Sequence, residues 1–377
     1  MHLGRFNAAI RDLRQYYAEL DLVATIDRAI AQLQPYITNR SASNLAAFRS
    51  MLDDAASKAR AVPPAFHLPS VTQLYADLGV ADWNGARLAD HLMSVGQGQG
   101  LLPEEMIAQL NDIRAEVVTV TTDVTTLATT LEKRGVEFEE LQGDGAEFGI
   151  AFPKQLVGES VGQIRAELKH VDQLFSCMNE LMGRVEKSPR MRTIASSWWQ
   201  FFLELDAAQI AFWTVVIERI VHLLKTNYEI KKIVMDLNEK KDLLPDDVIP
   251  KIEARVLQNI RTGVSELAHD LRAKFQNNND DARCNELETQ LKIELLHLVR
   301  KINGGAVLEL RLGAPTDRPA DGEGEPGAGD DPARVAAHER AVLNEKLADL
   351  SRQTATLDLR LDLQLEGPEI EQPPSAD

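Results

Sequence analysis

Between Met106 and Leu131 an apolar residue recurs at Met106, Leu110, Ile113, Val117, Val120, Val124, Leu127 and Leu131. The steps alternate four and three without a fault, a heptad seam of about three and a half repeats. A stripe of that length must be covered lengthwise by another helix. The rhythm returns at Val157, Val161, Ile164, Leu168, Val171, Phe175, Met178 and Met182. Val117 to Thr130 is rich in Val and Thr, which favour strands, yet the unbroken spacing outweighs that preference. Pro103 followed by Glu104 and Glu105 marks the helix entry, with acid at the positive end of the dipole. The chain is read as α+β and predominantly helical, with long heptad-patterned helices and a small antiparallel or mixed β-sheet.

The strand signals are short. Val136 and Phe138, then Phe148, Ile150 and Phe152, flank the turn-forming Gln142–Gly145 and predict a β-hairpin near 136–152. Met191–Leu205 is ambiguous, and a strand is favoured for its first half. Leu308, Leu310 and Leu312 alternate with polar residues, as do Leu357, Leu359, Leu361, Leu363 and Leu365. Each needs a partner for its backbone and cover for its aliphatic face, so both are expected in one sheet with the hairpin.

The domain reading follows. Residues 1–100 form an N-terminal helical region, whose first 60 residues read as two helices broken at Pro35. Residues 101–312 form a long-helix bundle carrying the hairpin. Residues 313–332, rich in Gly, Pro and acid, are expected to be a disordered linker. A C-terminal helix and strand, 333–366, dock on the body, and 367–377 form a disordered tail.

Composition excludes several function classes. The net charge is −17, of which −9 lies in 313–377, so the body has no basic stripe and nucleic-acid binding is not expected. Cys177 and Cys284 are far apart and form no disulfide framework, and Met1–Leu13 reads as an amphipathic helix start and not a leader, so a cytoplasmic location is expected. Ala207–Leu224 is apolar, but Gln209, Glu218, Arg219 and His222 interrupt it. A spanning helix needs about 20 mostly apolar residues, so this segment reads as a buried helix and no membrane role is expected.

No local pattern carries chemistry. The eight histidines are scattered, and none stands at metal-ligand spacing from another histidine or from a cysteine. Gly96–Gly100 lacks the Lys-Ser/Thr of a phosphate loop. Gly158-Glu159-Ser160-Val161-Gly162 matches a nucleophile elbow in letters but not in context, and reads as a helix start. Asp246 with Asp247 reads as a helix cap; Asp280 with Asp281 lacks calcium-loop spacing. No catalytic, cofactor or metal residue is nominated, no cofactor is implied, and a small-molecule ligand is left open. Trp198, Trp199, Phe201, Phe202, Phe212 and Trp213 cluster within 16 residues. Neighbouring aromatics on a strand face opposite ways, so either both faces are covered or one is a contact patch.

The function these features suggest is non-enzymatic protein–protein interaction or assembly through coiled-coil or helical-bundle surfaces. A protein partner or a second copy would meet the Met106–Leu131 seam, Trp198, Trp199, Phe201 and Phe202. One alternative is a hydrolase or transferase whose site gathers residues distant in sequence. A weaker one is a membrane-perturbing helix at 207–224.

Overall fold

The computed structural model describes residues 3–97, 102–139, 141, 145–158, 160–185, 188–195, 199–241, 248–277, 280–313 and 332–356. Contacts divide the chain into two compact units, Met1–Glu140 and Leu141–Asp377. Helices dominate, and a four-stranded antiparallel sheet makes the fold α+β.

The first unit contains α1 (Leu3–Leu20), α2 (Leu22–Thr38), α3 (Ala42–Arg60), α4 (Pro69–Asp77), α5 (Gly85–Gln97) and α6 (Pro103–Lys133). The expected first helix is two. Asp21 adopts the left-handed region at φ 44°, which Asp tolerates better than most residues. The break falls where the apolar stripe shifts face. Pro35 does not end α2; it sits in the last turn, where its carbonyl accepts from Asn39 N at 2.9 Å and Asn44 Nδ2 at 3.1 Å.

The start of α6 has Pro103 in its first turn, and Glu105 Oε2 accepts from Leu102 N at 2.9 Å. Thr119, Thr122, Thr125, Thr129 and Thr130 each donate a hydroxyl to the carbonyl four residues back. Those bonds satisfy the hydroxyls on the helix's own backbone, while burial of the apolar stripe, against the β preference of Val and Thr, holds the stretch helical. The seam faces inward. Met106, Leu110, Ile113 and Val117 pack with α2, α3 and α5, while Val120, Val124 and Ala128 pack with α1 and α4. Thus α6 belongs with the first hundred residues, and the division falls after Glu140, not near residue 100.

No hairpin forms at 136–152 among the described residues. Val136–Glu139 is irregular and lies in the first unit, where Glu139 N donates to Gly4 O at 3.1 Å. Phe138 is exposed under the Arg11 guanidinium, 3.6 Å from the ring centroid. Local pairing loses here because the second half of the segment finds better partners far along the chain.

That second half is β1 (Ala146–Phe152). After it come α7 (Lys154–Val157), α8 (Val161–Leu181), β2 (Met191–Ala195), β3 (Trp199–Leu205), α9 (Ala207–Lys241), α10 (Val248–Phe275), α11 (Asp281–Asn303), β4 (Val307–Leu312) and α12 (Pro332–Thr356). Both halves of the ambiguous Met191–Leu205 stretch are strands. The sheet order is β2-β3-β1-β4. Ile150 stands opposite Phe201 and Leu308, and Phe148 opposite Leu203 and Leu310. These residues make one aliphatic and aromatic face, packed into the core of α8 to α11. Trp213 of α9 stacks on Phe148 with centroids 4.1 Å apart.

The other face carries Glu147, Gly149, Phe202 and Glu309. A Cβ at Gly149 would come within 2.8 Å of the Phe202 ring, so any larger residue there forces that buried ring to shift. Helix α9 is apolar and long enough over Ala207–Ile230 to cross a membrane. Ile210, Phe212, Trp213, Val216, Ile217, Ile220, Val221 and Leu224 are nonetheless buried in this core, as expected for Ala207–Leu224.

The two edges of the sheet differ. At β4 the helix α12 supplies side-chain partners to the open backbone groups. Thr354 Oγ1 accepts from Leu308 N at 3.2 Å, Ser351 Oγ from Leu310 N at 3.1 Å and Asn344 Oδ1 from Leu312 N at 3.1 Å. At β2 no described strand pairs with the outer edge. Replacing Ser351 and Thr354 by Ala and Val should leave two buried N–H groups without partners. About 1–3 kcal/mol each is the expected loss, read as faster amide exchange at Leu308 and Leu310. Unchanged exchange there would contradict the edge-cap assignment.

The expected C-terminal strand, Leu357–Leu365, and the linker within 314–331 lie outside the described residues.

Candidate functional site: a crossed histidine–glutamate cluster

Glu167 and His170 are three apart on α8, as Glu294 and His297 are on α11, so each helix presents one carboxylate and one imidazole on one face. The two helices pack together, and the pairs cross. His170 Nδ1 lies 2.8 Å from Glu294 Oε2, and His297 Nε2 lies 2.9 Å from Glu167 Oε2. The imidazole rings stack with centroids 3.8 Å apart and planes 20° off parallel. One turn on from His297, Lys301 bonds Glu167 Oε1, and one turn before Glu294, Gln290 Nε2 donates to Glu294 Oε1 at 2.8 Å. All four carboxylate oxygens therefore have partners.

The cluster sits against Ile150 and Phe152 of β1 and against Val171, Leu174 and Leu298. Glu294 is 2% exposed and Glu167 13%. Burial by itself would raise the Glu167 carboxyl, but the His297 and Lys301 hydrogen bonds and charges outweigh it and hold the group below its ordinary value. Nearby Cys177 is pushed up to about 12, first by burial and then by Glu294 and Glu180, so its thiol is unreactive at neutral pH.

Chemically the arrangement can hold and share protons and tie α8 to α11. The cleft beside it measures about 20 Å³, room for about one water molecule and too little for a metabolite. Among the described residues no group of three or more His, Cys, Asp or Glu converges as metal ligands. Each crossed pair offers two ligands, and Lys301 already neutralises Glu167.

A pH dependence follows from the sign of the Glu167 shift. A carboxyl held below its unfolded value adds stability above that value, near 4.5, and the contribution is lost as pH falls through the folded value. Asp206, hydrogen-bonded by Arg184 and by the first amides of α9, is lowered in the same sense, although burial opposes it. Acidification below about pH 4.5 should therefore destabilise the second unit. Glu167→Gln should cost roughly 2–3 kcal/mol at neutral pH by stranding Lys301, and should flatten the acid limb of a melting-temperature profile. An identical acid limb in the variant would rule this out.

The interaction residues expected from sequence are not gathered into one surface. Met106, Leu110, Ile113, Val117, Val120, Val124 and Leu131 are buried within the first unit, and Leu127 is half-buried there beside Ala128. They are not available to a partner, because α1, α2, α4 and α5 already cover the stripe. Trp198 lies outside the described residues. Trp199 is half-buried, while Phe201 and Phe202 are 2% and 3% exposed on opposite faces of β3, so this strand is covered twice. Ser160 caps α8 by accepting from Gln163 N at 3.2 Å, and Asp280 caps α11 by accepting from Arg283 N at 3.2 Å. Sequence reasoning missed the crossed cluster. Its one signal was the repeated Glu-x-x-His, whose crossed contacts join residues 124 and 130 positions apart.

Compared with known proteins, the chain matches no family model, no curated protein and no solved structure.

Proposed function

We propose that this chain is a non-enzymatic interaction or assembly protein of the cytoplasm that engages another polypeptide through its sheet edge. The carrying observation is the asymmetry of the sheet. One edge is capped by α12 side chains, whereas β2 has no described strand on its outer edge and exposes Met191 and Ile194, 46% and 53% accessible. Uncapped edges with apolar neighbours are templates for an added strand. The heptad seams are not the contact surface in this reading, since the first is internal to one unit and the second supplies the α8 side of the other core.

A hydrolase or transferase remains the second reading, favoured by the crossed His170/His297 cluster. The complete pairing of its carboxylates and the small cleft argue against substrate access. Light scattering of the purified chain, with mass spectrometry of what co-purifies from native lysate, tests the first reading. More than one chain per particle, or a stoichiometric protein partner, is expected. A single-chain mass at every concentration with no partner retained would contradict it.

A further inference from the structure

Leu357–Leu365 alternates five leucines with Asp358, Arg360, Asp362 and Gln364, and a strand so patterned needs a backbone partner and cover for one face. Among the described strands the sheet has one place for it. β1 and β3 are paired on both sides, and β4 lies between β1 and the α12 side chains. The outer edge of β2 is left.

That edge suits the segment on both faces. Met191 and Ile194 stand opposite Leu203 and Phe201, so the irregularity in β2 brings both onto the aliphatic face of the sheet, and both are exposed there. Arg192 turns to the other face, 3.9 Å from Glu147. A strand laid along β2 with its leucines over Met191 and Ile194 brings Asp358 and Asp362 to the side of Arg192.

Reach decides whose segment it is. Thr354, Leu308, Ile150, Phe201 and Ile194 form one row across the sheet, so α12 ends beside the β4 edge, opposite β2. A strand added beyond β2 lies four spacings from β4, about 19 Å, before the offset of α12 is counted. An extended chain advances about 3.3 Å per residue, so roughly six residues after Thr356 would be used in crossing. Too few leucines would then remain to lie along β2. The chain's own segment is too short for that edge.

We propose that β2 receives Leu357–Leu365 from a second copy of this chain as an added strand, and that the exchange is reciprocal, closing a two-fold dimer. This rests on the assembly reading and names its surface and partner.

The test uses the full chain throughout. Light scattering should give the mass of two chains for the wild type, and of one chain for Ile194→Lys and for Leu361→Asp, each with unchanged circular dichroism. Two differently tagged single variants, Ile194→Cys and Leu361→Cys, should form a covalent heterodimer on mild oxidation when mixed; Leu359→Cys and Leu363→Cys cover neighbouring registers. A wild type that is one chain at all concentrations overturns the proposal, and a co-purifying foreign partner would then keep the assembly reading alone. A dimer that survives both substitutions also overturns it and moves assembly to another surface. No heterodimer from the mixed single variants, with an internal cross-link in a chain carrying both Ile194→Cys and Leu361→Cys, overturns the second-copy assignment.

Discussion

Val120→Asp should unfold the first unit instead of splitting an oligomer. Val120 is 8% exposed and packs in one cluster with Ile10, Leu13, Tyr16, Tyr17, Phe66 and Tyr75. A carboxylate placed among these side chains loses its hydration, and the remedy of protonation also carries a cost. A loss of about 3–5 kcal/mol is expected, enough to lower the melting temperature of this unit by roughly 10 °C or more. The surrounding hydrogen bonds add to the effect, since Tyr16 Oη donates to Ala59 O at 2.7 Å and Tyr75 Oη to Ala9 O at 3.0 Å. Far-ultraviolet circular dichroism during heating checks it. A variant that melts like the wild type while its mass falls would return the seam to an intermolecular role.

Trp213→Ala should be as damaging in the second unit. Trp213 is 1% exposed, stacks on Phe148, and lies 5.2 Å from the Phe175 ring centroid. Removing it leaves a cavity beneath the central strand, and buried Trp-to-Ala changes cost about 3–5 kcal/mol. Among the described residues its indole N–H has no hydrogen-bond partner, so Trp213→Phe should cost much less while keeping an aromatic ring near Phe148. Urea unfolding followed at several wavelengths would rank the three proteins. Equal losses for Phe and Ala would mean that the indole itself, and not ring packing, holds the site.

Some of this architecture was legible because it is local. The four-three spacing of Met106 to Leu131 marked the buried stripe of α6, and Pro103 with Glu105 marked its start. The alternation in Val307–Leu312 marked β4, and the interrupted apolar run marked the core helix α9. What was not legible depends on contacts between distant residues. Periodicity says that a face is buried but not by what, so the seam pointed outward as readily as inward. Alternation alone places Phe148 and Ile150 in a hairpin with Val136 and Phe138, yet their partners are Leu203, Phe201, Leu310 and Leu308. The charge cluster was hidden for the same reason: Glu167 and His297, 130 residues apart, meet through the packing of α8 on α11.

The same distinction between inner and outer surfaces gives the sharpest test of function. Hydrogen–deuterium exchange of the full chain should be followed by mass spectrometry across a hundredfold range of concentration. Peptides covering Met106–Leu131 should show the same protection throughout, because their cover comes from the chain itself. Peptides covering Met191–Ala195 should gain protection as concentration rises, because in the proposed exchange a second copy completes their outer edge. Protection that rises in the seam and stays constant at β2 would contradict the account.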